Sequence, residues 1–223
     1  MTLTTLAAGI CPLSAYGAAL RRAAAGIPTG MTVVDNAGRV GPLPVDQWYA
    51  EHRAGDETLL ARCDGPTIDL GCGPGRLTAA LVRSGRVALG VDACRDAVRL
   101  ARRRGAPAVC RDIFGRLPRE GRWPRLILAD GNIGIGGDPE SLLRRCRAIA
   151  APDGQILVEV DPPGSAPWSG PLRIAAADGT LSAPFAWARI GVDDLTRPAH
   201  AAGLRVRRTW TESRRWFACL SAA

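Results

Sequence analysis

The stretch Ile68-Asp69-Leu70-Gly71-Cys72-Gly73-Pro74-Gly75-Arg76 decides how this chain is read. Residues 67–70 form a short apolar run that reads as a strand. The run breaks into a loop with glycine at every second position. A helix is expected next, with Leu77, Ala80, Leu81 and Ser84 on one face and Gly85 as its stop. Glycine lets a backbone turn tightly and lets a ligand approach with no Cβ in between. A glycine loop between strand and helix also aims backbone N–H groups at that ligand.

Two common nucleotide-binding loops do not fit the spacing. A dinucleotide site wants G-x-G-x-x-G to seat a pyrophosphate. Here the third glycine comes one residue early, at Gly75, and Arg76 stands where the pattern needs glycine. That spacing disfavours an NAD-dependent oxidoreductase. A phosphate-binding P-loop needs a lysine, and all 29 basic residues of the chain are arginine.

Outward from the loop, strand and helix signals alternate. Residues 87–91, 108–110, 126–129 and 155–160 read as strands, and helices are expected over 95–104 and 139–150. Alternation of this kind predicts βαβ units and a parallel sheet. Asp92, Asp112, Asp130 and Asp161 close four of the strands, and Asp69 sits just before the glycine loop. Ligands of open α/β sheets bind outside the carboxyl ends of the strands, so five acids are expected to gather where a ligand sits. Asp92 and Asp112 could alternatively serve as helix N-caps.

The spacing acid-x-Gly-x-Gly-x-Gly, with an acid ending the next strand, resembles motif I of the class I S-adenosylmethionine-dependent methyltransferases. The resemblance extends from about residue 65 to Asp161. The whole chain looks like a family of compact bacterial methyltransferases carrying Asp130-Gly131-Asn132-Ile133-Gly134-Ile135-Gly136-Gly137-Asp138-Pro139 after the fourth strand. The resemblance implies a Rossmann-like α/β fold: a mostly parallel seven-stranded sheet with one antiparallel strand and helices on both faces. It implies S-adenosyl-L-methionine as cofactor, with Asp69, Gly71, Cys72, Gly73 and Gly75 under its methionine and ribose. Asp92 and Ala93 would take the ribose hydroxyls, and Asp112 and Ile113 the adenine. Asp130, Gly131 and Asn132 would hold the methionine amino group and face the methyl. A carboxylate accepts two hydrogen bonds at once, which suits ribose, and a ring of acids suits a cationic sulfonium better than a pyrophosphate.

Methyl transfer draws most of its rate from alignment and exclusion of water. A base is needed only if the acceptor must lose a proton. Asn132, Tyr49 and His52 are the candidate catalytic residues. Trp48 and Tyr49 could equally be core, and His52 a surface residue. Trp168, Phe185, Trp187 and Arg189 fall in or after a Pro-, Gly- and Ser-rich stretch and could line an acceptor pocket. Asp161-Pro162-Pro163 is read as a rigid turn.

The flanks divide the chain into an N-terminal cap over 1–55 and a methyltransferase domain over 56–223, with a lid insertion over 161–190. The cap holds a helix candidate at 14–25 and a hairpin turning at 35–38. The domain closes with a helix at 193–202 and two antiparallel strands at 204–211 and 216–220.

Composition bounds the rest. The seven cysteines form no CxxC pair and only two histidines are present, so neither a disulfide framework nor a metal site is expected. A partly apolar stretch from residue 3 to 20 is broken by glycine and proline and has no basic start, so a cytoplasmic protein without a signal peptide or membrane span is expected. The net charge of +8 raises nucleic acid as a partner. Yet the arginines are scattered, with runs only at 102–104 and 205–208 and no aromatics interleaved, so nucleic-acid binding is not expected. The leading reading is methylation of a small molecule, in a biosynthetic pathway, by a monomer or homodimer. An RNA or protein methyltransferase, and a cofactor-binding protein of other chemistry, are the alternatives.

Overall fold

The computed structural model describes residues 9–223. Residues 1–8, where the expected cap and the partly apolar stretch begin, lie outside the described residues. The chain opens with helix α1 (Pro12–Ala24), whose proline occupies the first turn, where no N–H is needed. The hairpin β1 (Thr32–Asp35) and β2 (Val40–Pro42) follows. Asp35 Oδ1 accepts the N–H groups of Ala37 and Arg39, each at 2.9 Å, and so closes its turn. Two short helices not foreseen in the sequence come next, α2 (Val45–Tyr49) and α3 (Asp56–Leu60); each is too brief to show an amphipathic period.

The alternating core then runs β3 (Thr67–Leu70), α4 (Arg76–Arg83), β4 (Ala88–Asp92), α5 (Arg95–Arg103), β5 (Ala108–Cys110), β6 (Trp123–Leu128), α6 (Pro139–Ile149) and β7 (Ala150–Val160). Asp138 caps α6 by accepting from the N–H groups of Glu140 and Ser141. β7 begins five residues earlier than the sequence suggests. Asp153-Gly154 looks like a turn, but the strand bulges there, so that Ala150 pairs with Trp123 and Gln155 with Arg125. The remaining elements are β8 (Trp168–Ala175), β9 (Phe185–Arg189), α7 (Thr196–Ala201), β10 (Leu204–Glu212) and β11 (Arg215–Ala222).

Seven strands form the main sheet in the order β10-β11-β7-β6-β3-β4-β5. All neighbours from β7 to β5 are parallel, and β11 runs antiparallel to both β7 and β10. This is the Rossmann-like methyltransferase topology, with a single antiparallel strand. Side chains alternate across each strand, and both faces are covered. Ile68, Leu70, Leu126, Leu128, Ile156 and Val158 pack with Leu142, Leu143, Cys146 and Ile149 of α6. Ile127, Leu157 and Phe217 face the other way, onto Leu59 of α3 and Leu77 and Leu81 of α4.

The segments read separately as cap and lid meet in one structure. β1 pairs antiparallel with β8, and the four strands form a second sheet in the order β2-β1-β8-β9. No local pattern announces a pairing between residues 32 and 175. Asp161, at the end of β7, bridges to Gly191 and ion-pairs with Arg189 at 2.9 Å, so both anchor the return from this sheet.

The glycine loop is fitted to its surroundings. Gly75 has φ 83°, and a Cβ there would lie 2.7 Å from Ala101 Cβ and 2.9 Å from Ala101 Cα of α5. Gly75→Ala is therefore expected to cost roughly 1–2 kcal/mol for a left-handed backbone and roughly 1–3 kcal/mol for overpacking. Urea denaturation of the variant against the parent checks this.

Candidate functional site

The carboxyl ends of β3, β4, β5 and β6 lie side by side, and the residues singled out around them divide into those that face a ligand and those that brace. Asp69 braces. It is 2% exposed, and its carboxylate accepts the Thr78 hydroxyl at 2.7 Å, which locks β3 to α4. Burial pushes its carboxyl up to about 6. Asp69 opens the segment expected to pass under the ligand, and within it the pleat turns the Asp69 side chain down onto α4. Cys72 is likewise buried, and a Cβ on Gly90 of β4 would fall 2.6 Å from its sulfur.

Asp92 faces the loop. Its Oδ2 accepts the Gly73 N–H at 2.9 Å and its Oδ1 the Cys94 N–H at 2.7 Å. Burial raises its carboxyl, and those two bonds oppose the rise. Each oxygen keeps a further lone pair for an outside donor. Ala93 beside it is exposed. Asp112 accepts the Phe114 N–H at 3.0 Å and is exposed, whereas Ile113 is buried in the sheet core. Asn132 reaches from the end of β6 back to the loop. Its Nδ2 donates to the carbonyls of Leu70 at 3.0 Å and Gly71 at 2.8 Å. A Cβ on Gly71, which has φ 76°, would collide with that amide at 2.6 Å.

A residue that the sequence did not single out closes over this arrangement. Tyr16 of α1 sits with its hydroxyl where a Cβ of Gly73 would lie 3.0 Å away, and its ring meets Trp48 edge-on at 6.0 Å. Desolvation first, then the nearby Asp92, holds its phenol well above the usual value. The helical spacing of α1 was the only trace of it in the sequence.

Asp130 has a different setting from the one expected. It adopts φ 56°, and its carboxylate is taken up by arginines: Arg53 at 2.6 Å, Arg76, and Arg215 at 3.4 Å. Arg215 also grips Glu159 in a bidentate pair at 2.8 and 2.9 Å and Asp56 at 2.8 Å, and Arg76 pairs with Asp56 as well. The Asp130 N–H donates to Glu159 Oε2 at 2.6 Å. Three arginines and three acids thus form one neutral cluster, in which the side chains of Arg76, Asp56 and Arg215 are no more than 5% exposed. Burial alone would raise the Asp56 carboxyl, but Arg76 and Arg215 hold it below its usual value. With its carboxylate engaged, Asp130 presents its backbone and that of Gly131 to the site. The members are scattered between positions 53 and 215, which is why the sequence shows only one of them.

The remaining catalytic candidates lie elsewhere. Tyr49 packs among α1 and α5, with the Arg104 guanidinium over its ring at 5.0 Å and donating to its carbonyl. His52 is exposed and pairs with Glu57. Neither is among the residues that the strand ends bring together. Trp187 packs on Gly134 and edge-on to Phe185 at 6.1 Å.

Residues 68–158 match the family described as a methyltransferase domain. Over those residues the chain is similar to a methyltransferase domain, and they lie on the class I methyltransferase fold. A structure of an S-adenosylmethionine-dependent methyltransferase from Bacteroides fragilis, in complex with S-adenosyl-L-homocysteine, is similar over 97% of this chain and 98% of that one. The TM-score is 0.80 at 20% identity. The CcbJ methyltransferase of Streptomyces caelestis is similar over 82% of this chain and 91% of its own, with a TM-score of 0.59 at 16% identity. Trans-aconitate 2-methyltransferase of Paracidovorax citrulli (strain AAC00-1) is 34% identical over 114 residues, 49% of this chain. The chain spans under half of that relative's length, 44%.

The methyltransferase domain's cofactor, S-adenosyl-L-methionine, fits the residues present. The buried Asp92 carboxylate has lone pairs to spare for two hydroxyls, and the positive-φ glycines at 71, 73 and 75 leave the loop without side chains. Among the described residues no helix is long and apolar enough to cross a membrane.

Two outcomes follow from the braces. Asp69 has a raised carboxyl, so its protonated form favours folding: that contribution is complete below the ordinary carboxylate value near 4 and is lost as pH rises through about 6. Asp69→Asn keeps the Thr78 bond and carries no charge. Its melting temperature should match the parent near pH 4, exceed it by a growing margin as pH rises from about 4 to about 6, and keep a constant margin above that, corresponding to about 3 kcal/mol. Arg215→Met removes the bidentate partner of the buried Glu159 and one of the two cations on Asp56, and should cost about 3–5 kcal/mol in denaturant unfolding.

Proposed function

We propose that this chain transfers the methyl group of S-adenosylmethionine to a small-molecule acceptor. The observation that carries the reading is the roof over the segment after β6. The second sheet lies against residues 132–137 and leaves a hollow of about 310 Å³ bounded by Gly136, Gly137, Ser169, Gly170, Phe185 and neighbouring prolines. A space of that size suits a small ligand, and its bare glycine floor with Phe185 at the rim suits an apolar or planar group. The trans-aconitate 2-methyltransferase relative, whose name gives a small acceptor, supports the same class.

Bound S-adenosylmethionine supplies an electrophilic methyl on a sulfonium. The chain's residues have three tasks. Asp92 would accept the ribose hydroxyls, and Asp112 with the backbone of Ile113 would hold the adenine edge. The backbone of Asp130 and Gly131, fixed by the arginine cluster, together with Asn132, would set the methionine end against the glycine loop. Tyr16 and α1 would exclude water above it. The site braces a geometry and offers no dedicated base, which suits a transfer driven by alignment.

The test is calorimetric binding of S-adenosylhomocysteine, with NAD as a control, to the parent and to Asp92→Ala. Each lost hydrogen bond to a charged acceptor costs roughly 1.5–3 kcal/mol, so two predict a weakening of at least about a hundredfold. Binding indifferent to Asp92 would remove the assignment. Methyl transfer from labelled cofactor to a panel of small carboxylates and planar heterocycles then separates a methyltransferase from a protein that only binds the cofactor.

A further inference from the structure

At the β5 edge of the main sheet, α5 and the end of β5 enclose an open depression of about 710 Å³. Its walls are Arg95, Arg99, Arg102, Arg103 and Arg111, and Val98 and Cys110 are its other lining residues. Across residues 93–111 the chain carries six arginines against a single acid, Asp96. Asp96 is already shared between Arg21 and Arg99. Arg102 donates its Nε–H to the Ala108 carbonyl at 2.9 Å, and Arg111 donates to the Cys110 carbonyl at 3.0 Å. These bonds fix two guanidinium groups without neutralising them. Among the described residues, Arg95, Arg102, Arg103 and Arg111 have no carboxylate within ion-pair distance, although ten other arginines of the chain do.

Like charges crowded around one hollow repel each other, and an anion that fills it relieves the repulsion. The shape of the lining selects among anions. A protein partner would need an apolar centre, and here Val98 is 3% exposed and unavailable. An anionic membrane would need projecting apolar side chains, and the lining has none. A row of guanidinium forks matches phosphate oxygens two at a time. Arg95, Arg99, Arg102 and Arg103 follow one another along a helix flank, and Arg111 approaches from the strand opposite. We propose that this groove binds the phosphate backbone of a single-stranded nucleic acid. The charge run at 102–104 alone does not disclose it; folding adds Arg111 and the first turn of α5.

The test is fluorescence anisotropy of a labelled twelve-nucleotide oligouridylate with the full chain at several salt concentrations. Four phosphate contacts on a single strand predict a slope near −3 in log affinity against log salt, or roughly a sixtyfold loss between 50 and 200 mM. The variant Arg95→Gln/Arg99→Gln/Arg103→Gln should flatten the slope by about 2. Arg205→Gln/Arg207→Gln/Arg208→Gln removes the same charge from the exposed β10 edge at the far end of the sheet. It should leave the slope within a few tenths of the parent's. Both variants should bind S-adenosylhomocysteine as the parent does, which shows that each is folded. Equal effects of the two triple variants would overturn the proposal, since net charge alone would then explain the binding. No oligouridylate binding by the parent at 50 mM salt would also overturn it.

Discussion

Two buried guanidinium groups hold the catalytic end of this molecule together. Arg76 leaves the glycine loop and Arg215 opens β11, and with Arg53 they neutralise Asp56, Asp130 and Glu159. Each of those acids would be costly to bury alone. The cluster therefore fixes which way five segments of chain can meet: the start of α3, the exit of the loop, the end of β6, the end of β7 and the closing hairpin. It also explains a strained residue. Asp130 is non-glycine at φ 56°, a conformation that persists only where the surroundings over-determine it. Three arginines on its carboxylate and Glu159 on its N–H do so. The following turn then delivers the Asn132 amide onto the Leu70 and Gly71 carbonyls.

The electrostatics of the site follow from this arrangement. The cluster is neutral overall, so it lends rigidity and little net field. Asp69 is turned away onto Thr78 and buried. That leaves Asp92 as the carboxylate deep at the strand ends whose bonds are to backbone N–H groups and not to cations. Those bonds orient an acceptor that still has lone pairs to spare. The second sheet covers the segment beyond Asn132, and α1 covers the loop, so both ends of the site are roofed by chain that is remote in sequence from it.

Charge is distributed unevenly over the rest of the surface. Most ion-paired arginines serve the fold, as Arg53, Arg76 and Arg215 do. Arg95, Arg102, Arg103 and Arg111, which have no acid partner among the described residues, share one concavity at the edge of the sheet. A chain whose basic residues are all arginine carries planar, fork-shaped donors at every such position, and the same side chain therefore serves as buried brace and as surface contact.

Local sequence determined the parallel core. Alternating apolar strands, Gly85 and Gly105 as helix stops, and Pro139 after Asp138 all encode structure within a few residues of themselves. The loop at 71–75 was legible because glycine at every second position has few other uses, and Asp92 and Asn132 were legible from their spacing after it. Tertiary structure decided what those patterns leave open. The pleat of β3 turned Asp69 onto Thr78 and away from the site. The pairing of β1 with β8 made one roof from two distant segments. Long side chains from positions 53, 76 and 215 converged on Asp130 and took up its carboxylate. These outcomes depend on contacts between residues dozens of positions apart. Such contacts leave no period or motif in a single sequence, because their free energy comes from burial and charge pairing that exist only once the chain has closed.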